Sequence, residues 1–162
     1  MSVAPQLRVI ESPEQTPELV FEVEEGHPRI PDSTYLAVCC GVDVEPTFKA
    51  LKAYLRFRIA EGEHAGKVVF RAYNVAGRII PGKGPGTGPR PKLKRTGDLF
   101  KMLCRVLHLP ANAKPHRVGM RELQGRLCKI VTRTVVRDYK QRVLPDAARY
   151  SVVEDVIAVE TE

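Results

Sequence analysis

Residues 49–75 decide the fold of this chain, and they read KALKAYLRFRIAEGEHAGKVVFRAYNV. From Leu51 to Ile59 apolar and polar side chains alternate, which is the period of a half-buried β-strand. The apolar positions, which we expect to face a core, are Leu51, Ala53, Leu55, Phe57 and Ile59. The positions between them, which we expect to face outward, are Lys52, Tyr54, Arg56 and Arg58.

The second half of this stretch predicts a partner strand. A connection with two glycines spans 61–66, and 67–75 is again rich in residues that favour strands. The two runs therefore predict an antiparallel hairpin. We expect Val68, Phe70 and Ala72 to share the core face of the second strand. The outward face would then carry Lys67, Arg71 and Tyr73.

Three further strands and one helix are predicted around this hairpin. Residues 33–44 form the first strand, in which Gly41 is expected to mark a bulge. Apolar residues at helical spacing in 98–109 predict an amphipathic helix that plugs the base of a barrel. Strands four and five are predicted at 123–137 and 150–159. The order β-β-β-α-β-β predicts a mainly β fold, a five-stranded OB-type barrel with one α-helix between strands 3 and 4.

Two segments outside these strands have a composition of their own. Residues 1–32 hold five prolines and seven acidic residues. They predict an acidic N-terminal arm in which only 19–23 could form a short strand. The domain is predicted to span 33–162. Within it, the stretch 78–97 is dominated by Gly, Pro, Lys and Arg, and predicts a flexible basic loop that closes over a ligand.

The positive charge of the chain is concentrated in its middle. The formal net charge is +7, yet 24 of the 26 Lys and Arg residues lie between Lys49 and Arg149, among only six acidic residues. A basic body of this density predicts a polyanionic partner, most often nucleic acid.

Cations and rings alternate on the surfaces that an OB-type barrel offers to a nucleic-acid strand. Phosphates attract Lys and Arg and release counterions, whereas unpaired bases stack on flat rings. We therefore predict a single-stranded nucleic-acid-binding protein. The predicted binding residues are Lys52, Tyr54, Arg56, Arg58, Lys67, Arg71, Tyr73, Lys83, Arg90, Lys92, Lys94, Arg95, Arg137, Tyr139, Lys140 and Arg142.

Other function classes find little support in the sequence. The four histidines have no metal-ligand spacing with one another or with the four cysteines, so neither a metal nor a cofactor is predicted. Asp43 and Glu45 lack a third acid in a nuclease-like spacing, so we expect no catalytic residue and no enzyme. No leader peptide and no apolar run of membrane length is predicted, and we expect reduced cysteines, a cytoplasmic location and no membrane partner.

Three segments carry a resemblance to a known family. They are TYLA at 34–37, LRFRIAEGEHAGKVVFRAYN at 55–74 and LQGR at 123–126. In these segments, and over roughly 33–159, the chain resembles phage and mobile-element single-stranded DNA-binding proteins with an OB fold. The resemblance implies that the protein protects or presents single strands during DNA replication or recombination.

The residues leave two alternatives to single-stranded DNA binding. An OB module of this kind could bind RNA, because the same platform accepts either sugar. The basic face could instead dock an acidic protein, which would make the chain a non-enzymatic adaptor. A homo-oligomer is compatible with both, and the acidic arm could lie over the basic face and compete with nucleic acid.

Overall fold

The computed structural model describes residues 18–48, 50–110, 115 and 117–159. Most of the predicted arm, 1–17, and also His116 lie outside the described residues. The strands are β1 (Thr34–Pro46), β2 (Leu51–Ile59), β3 (Val68–Ile80), β4 (Gly88–Lys92), β5 (Leu127–Val135) and β6 (Tyr150–Ala158), and the helix α1 is Asp98–Val106. Short 3-10 helices at Met120–Glu122 and Asp146–Ala148 precede β5 and β6.

The strands form one antiparallel sheet in the order β4-β3-β2-β1-β5-β6. A mainly β fold with one helix is therefore confirmed, but the five-stranded barrel is wrong in two respects. The described residues form six strands, and within them no backbone pairing joins β3 to β6, so the sheet is open. β4 pairs only with the second half of β3. The first half of β3 lies beside β6, and there the Arg71 guanidinium donates a hydrogen bond to the Glu154 carbonyl.

β1 contains the bulge that the sequence predicts. Its register against β2 shifts between Cys39 and Gly41. The guanidinium of Arg56 lies directly over Gly41, in the space that a Cβ would occupy. A bulge bends a strand and increases its twist, and this one lets β1 pair with β2 from Ala37 to Pro46 and with β5 from Thr34 to Val38.

The segment 78–97 is not the structureless loop that its composition indicates. β3 continues to Ile80, and β4 returns beside it as a hairpin. Gly77 makes this possible, because its φ of +118° is accessible to glycine and its missing Cβ leaves room for the carbonyl of Arg90. Pro89 and Pro91 are tolerated because β4 is an edge strand.

The core lies between the inner face of the sheet and α1. The apolar face of the helix is confirmed, since Leu99, Met102, Leu103 and Val106 are all buried. The helix is shorter than predicted, ending at Val106, and His108 follows with a positive φ of 53°. The apolar side chains of β2 lie in the same core, and Leu55 and Phe57 are completely buried.

The last residues of the predicted arm are part of this domain. The backbone N–H of Ser151 in β6 donates to the Pro28 carbonyl at 3.0 Å. The Ser151 hydroxyl accepts from the Ile30 N–H at 2.9 Å and donates to the Ile30 carbonyl at 3.1 Å. Ile30 is buried in the core. By contrast, 19–23 forms no strand and its apolar side chains are exposed.

Replacing Ser151 by Ala is expected to destabilise the fold. The substitution removes both hydrogen bonds from the buried backbone of Ile30, and a buried polar group without a partner costs about 1–3 kcal/mol. Urea unfolding of Ser151→Ala should show a free energy of unfolding lower by that amount. Ser33→Ala, which removes an exposed hydroxyl nearby, is the control, and equal stability of the two variants would contradict the role of Ser151.

Candidate nucleic-acid interface

β2 places its predicted side chains on the outer surface of the sheet. Lys52, Tyr54 and Arg56 are half-buried and Arg58 is exposed, while the residues between them are buried. The alternation predicted for this strand is therefore confirmed. We call this side of the sheet, opposite the core, the outer face.

The side chains of β3 lie on the opposite sides of the sheet from those predicted. Tyr73 is 4% exposed and lies in the core, and Val69 is buried beside it. Burial raises the pKa of Tyr73 to about 12. Arg71 shares this inner side, and its guanidinium lies 4.5 Å from the centre of the Tyr73 ring. The predicted alternation of β3 is therefore shifted by one residue. The assignment of Tyr73 and Arg71 to the outer face is wrong, and Phe70, which was assigned to the core, lies on the outer face.

The inversion has a simple physical cause. Val68 and Val69 are both apolar, so the sequence of this strand can be read in either phase. Pairing with β2 selects the phase, because Val69 lies opposite the buried Phe57 and Phe70 opposite Arg56. A change of register by one residue moves every side chain to the other side of the sheet.

Four aromatic rings meet on the outer face where β3 approaches β6. The rings of Phe70 and Tyr150 are nearly parallel, with an interplanar angle of 13° and centroids 6.4 Å apart. His27 packs on both of them, at 4.5 Å from Phe70 and 5.4 Å from Tyr150. Tyr54 lies 6.2 Å from Phe70. Sequence reasoning identified only Tyr54 in this cluster, because the other rings are brought together by contacts between distant segments.

An open groove of about 650 Å³ runs between β2–β3 on one side and β5–β6 on the other. We call it the seam groove. It contains the predicted residues Lys52, Tyr54, Arg71, Arg137 and Tyr139. Among the rings and cations of this groove, sequence reasoning missed Phe70, Arg133 and Tyr150. The alternation of β5 could have indicated Arg133, because it lies next to the buried Thr132 and is itself exposed.

The turn between β5 and β6 carries the most exposed ring of the groove. Tyr139 is 85% exposed, and the Lys140 ammonium lies 5.6 Å from its ring centre. Asp138 organises the turn by accepting the backbone N–H groups of Arg142 and Lys140 at 3.0 and 2.8 Å. These hydrogen bonds, first that of the Arg142 N–H, lower the pKa of Asp138.

Several predicted cations have partners within the protein. Arg56 forms an ion pair with Asp43 across β1 and β2. Arg142 forms one with Asp138 at 2.9 Å, and Arg137 donates to the Gln141 carbonyl at 2.9 Å. These contacts hold the guanidinium groups in place, and exposed ion pairs of this kind contribute little to stability.

The remaining predicted cations lie away from the seam groove. Arg90 and Lys92 are on β4, and Arg90 is directly opposite Arg78, which is not among the predicted binding residues. Lys83 lies in the turn of the β3–β4 hairpin. No residue between 77 and 97 belongs to the described lining of the seam groove. The other predicted residues outside it are Arg56, Arg58, Lys67, Tyr73, Lys94, Arg95, Lys140 and Arg142.

The described residues form neither a candidate metal site nor a candidate membrane-spanning helix. Within the part of the chain that the structure describes, no three His, Cys, Asp or Glu side chains are grouped so that they could hold a metal ion. The same part contains no helix with the length and hydropathy needed to cross a membrane.

The buried cysteines are held as thiols. Burial raises the pKa of Cys39, and it raises that of Cys128 to about 11. A thiol with a raised pKa is a poor nucleophile near neutral pH.

No protein-family model matches the chain, and a search of curated proteins gives no match either. The geometry of the seam groove therefore carries the argument about function.

The inward orientation of Tyr73 predicts a specific loss of stability at alkaline pH. Its folded pKa of about 12 lies above the ordinary value of 10.0, so the folded state keeps this proton while the unfolded state loses it. The contribution of Tyr73 to stability is complete below pH 10 and is lost as the pH rises towards 12. Between pH 9 and 11.5 the free energy of unfolding should fall by about 2 kcal/mol more in the wild type than in Tyr73→Phe. Denaturant titrations at both pH values measure this difference. Parallel pH profiles would place Tyr73 at the surface.

Proposed function

We propose that the protein binds single-stranded nucleic acid, and DNA in particular, along the seam groove. The observation that carries the proposal is the combination of stacked rings and cations in one open channel. Phe70, Tyr150 and Tyr54 form the ring cluster at its centre, and Tyr139 stands exposed at the β5–β6 turn.

The two types of side chain have separate roles in this proposal. The exposed Tyr139 ring stacks on an unpaired base, a contact worth roughly 1–3 kcal/mol per base. Lys52, Arg133 and Arg137 attract the phosphates of the same strand. The contact between Arg137 and the Gln141 carbonyl keeps that guanidinium at the wall of the groove.

The order of the strands and the position of α1 also support the proposal. If β4 is counted as an extension of β3, the strand order matches an opened OB-type sheet, with α1 between the third and the following strand. The ligand surface expected of that type includes strands 2 and 3 and the loop between the last two strands. On this basis we propose a non-enzymatic role in DNA replication or recombination of a phage or mobile element, as the resemblance implies.

Binding is tested by fluorescence anisotropy with labelled single-stranded DNA, its duplex and a matched RNA. We expect the single strand to bind more tightly than the duplex. Tyr139→Ala should weaken binding to the single strand roughly 5- to 150-fold, the equivalent of one lost stacking contact.

The matched control for Tyr139→Ala is Val143→Ala, which changes an exposed apolar residue on the same turn. It should leave the affinity unchanged. Tighter binding of the duplex, or equal affinities of both variants and the wild type, would refute the proposal. Tighter binding of the RNA would reassign the groove to RNA.

A second measurement tests the phosphate contacts. In the double variant Arg133→Gln/Arg137→Gln, the slope of log affinity against log salt concentration should become less steep by about 1.4, because each phosphate contact contributes about 0.7 on a single strand. Arg121→Gln removes an exposed cation that does not line the seam groove and should keep the wild-type slope. An unchanged slope in the double variant would show that the phosphates lie elsewhere.

A further inference from the structure

The described part of the arm exposes a short apolar segment between charged residues. Leu19, Phe21 and Val23 have 80%, 80% and 91% of their surface exposed. Because they are every second residue, an extended chain would place all three on one side. Glu18, Glu22, Glu24 and Glu25 surround them. Clustered exposed apolar side chains usually mark an interaction site. We call 18–25 the arm motif.

A second feature of the fold has the complementary chemistry. An open cleft of about 620 Å³, which we call the end cleft, lies between the C-terminal half of β1, α1 and the segment that follows α1. Its walls are mostly apolar and include Val42, Val44, Leu93, Phe100, Val118 and Met120. Its cations are Lys92, Arg95 and Arg117.

We propose that the arm motif of one copy of this chain occupies the end cleft of a second copy. Leu19, Phe21 and Val23 would fill the apolar floor, and the glutamates would face the cations. Side chains on one side of an extended segment repeat at about 6.8 Å, so these three span about 14 Å. The cleft volume is in the range of sites that bury a ligand of such size.

The attachment of the arm favours a second copy over the same chain. The arm is anchored on the outer face, where the His27 ring packs on Phe70 and Tyr150. The end cleft is lined by inner residues of the sheet, among them Ala53 and Val75. To reach its own cleft, the arm motif would have to turn around an edge of its own sheet, whereas a neighbouring copy can present its cleft directly.

Such a contact joins two different surfaces and can repeat from copy to copy. Successive copies would then associate head to tail. If the protein also binds a single strand, this association would make binding cooperative, but the contact itself does not depend on nucleic acid.

Sedimentation velocity of the full chain, without nucleic acid and over a range of protein concentrations, tests the contact. We expect association that weakens with added salt, since charges contribute to it. Phe21→Asp should remove the association and leave a single copy at every concentration. Val143→Asp places the same charge on another exposed apolar residue and should associate as the wild type does.

Complementation between variants identifies the two surfaces. Arg117→Glu, at an exposed position of the cleft, should weaken association at least tenfold while its arm motif stays intact. An equimolar mixture of Phe21→Asp and Arg117→Glu should associate again, because the intact arm of the second fits the intact cleft of the first. A wild type that stays a single copy, wild-type association of either variant, or a mixture that does not associate would overturn the proposal. Because no nucleic acid is present, these outcomes are independent of those that test the seam groove.

Discussion

The structure depends on the pairing of β2 with a neighbour on each side. β2 is bonded to β1 along one edge and to β3 along the other, and every second side chain of β2 is buried. Burial of Leu55, Phe57 and Ile59 leaves β2 a single allowed orientation, and hydrogen bonding then transmits this orientation to both neighbours. The outer position of Phe70 and the inner position of Tyr73 both follow from it.

The same constraint explains which features of the fold could be predicted from the sequence alone. The phase of β2 is predictable because its alternation is clean, and so are the bulge at Gly41 and the apolar face of α1. The phase of β3 is not, because neighbouring valines make both readings plausible and only the partner strand decides. β4 was missed for a different reason. Glycine and proline are typical of loops, and nothing local indicates that Gly77 allows a close return of the chain.

The residues of the candidate site also divide into those that could be predicted from the sequence and those that could not. Tyr54 and Tyr139 could be selected from sequence, since one belongs to a clear alternating strand and the other to a polar turn. Tyr150 and His27 could not, because their contacts with Phe70 depend on the packing of segments that are distant in the sequence. The number of cations is known from the sequence, but the acidic residues that pair with them could not be predicted. Asp43 pairs with Arg56 and Asp138 pairs with Arg142, so fewer cationic side chains are available to a ligand than the number of Lys and Arg residues suggests.

The position of the arm links the core to the ring cluster. Ile30 is buried, Pro28 accepts a backbone hydrogen bond from β6, and His27 covers the rings of Phe70 and Tyr150. If a base stacks on Phe70 or Tyr150, it must share that surface with the His27 ring, and competition between the arm and nucleic acid would then begin at this residue rather than at the glutamates. Removing residues 1–30 would test such competition poorly, because the truncation also takes Ile30 out of the core. A truncation that ends before His27 separates the acidic segment from the part of the arm that belongs to the fold.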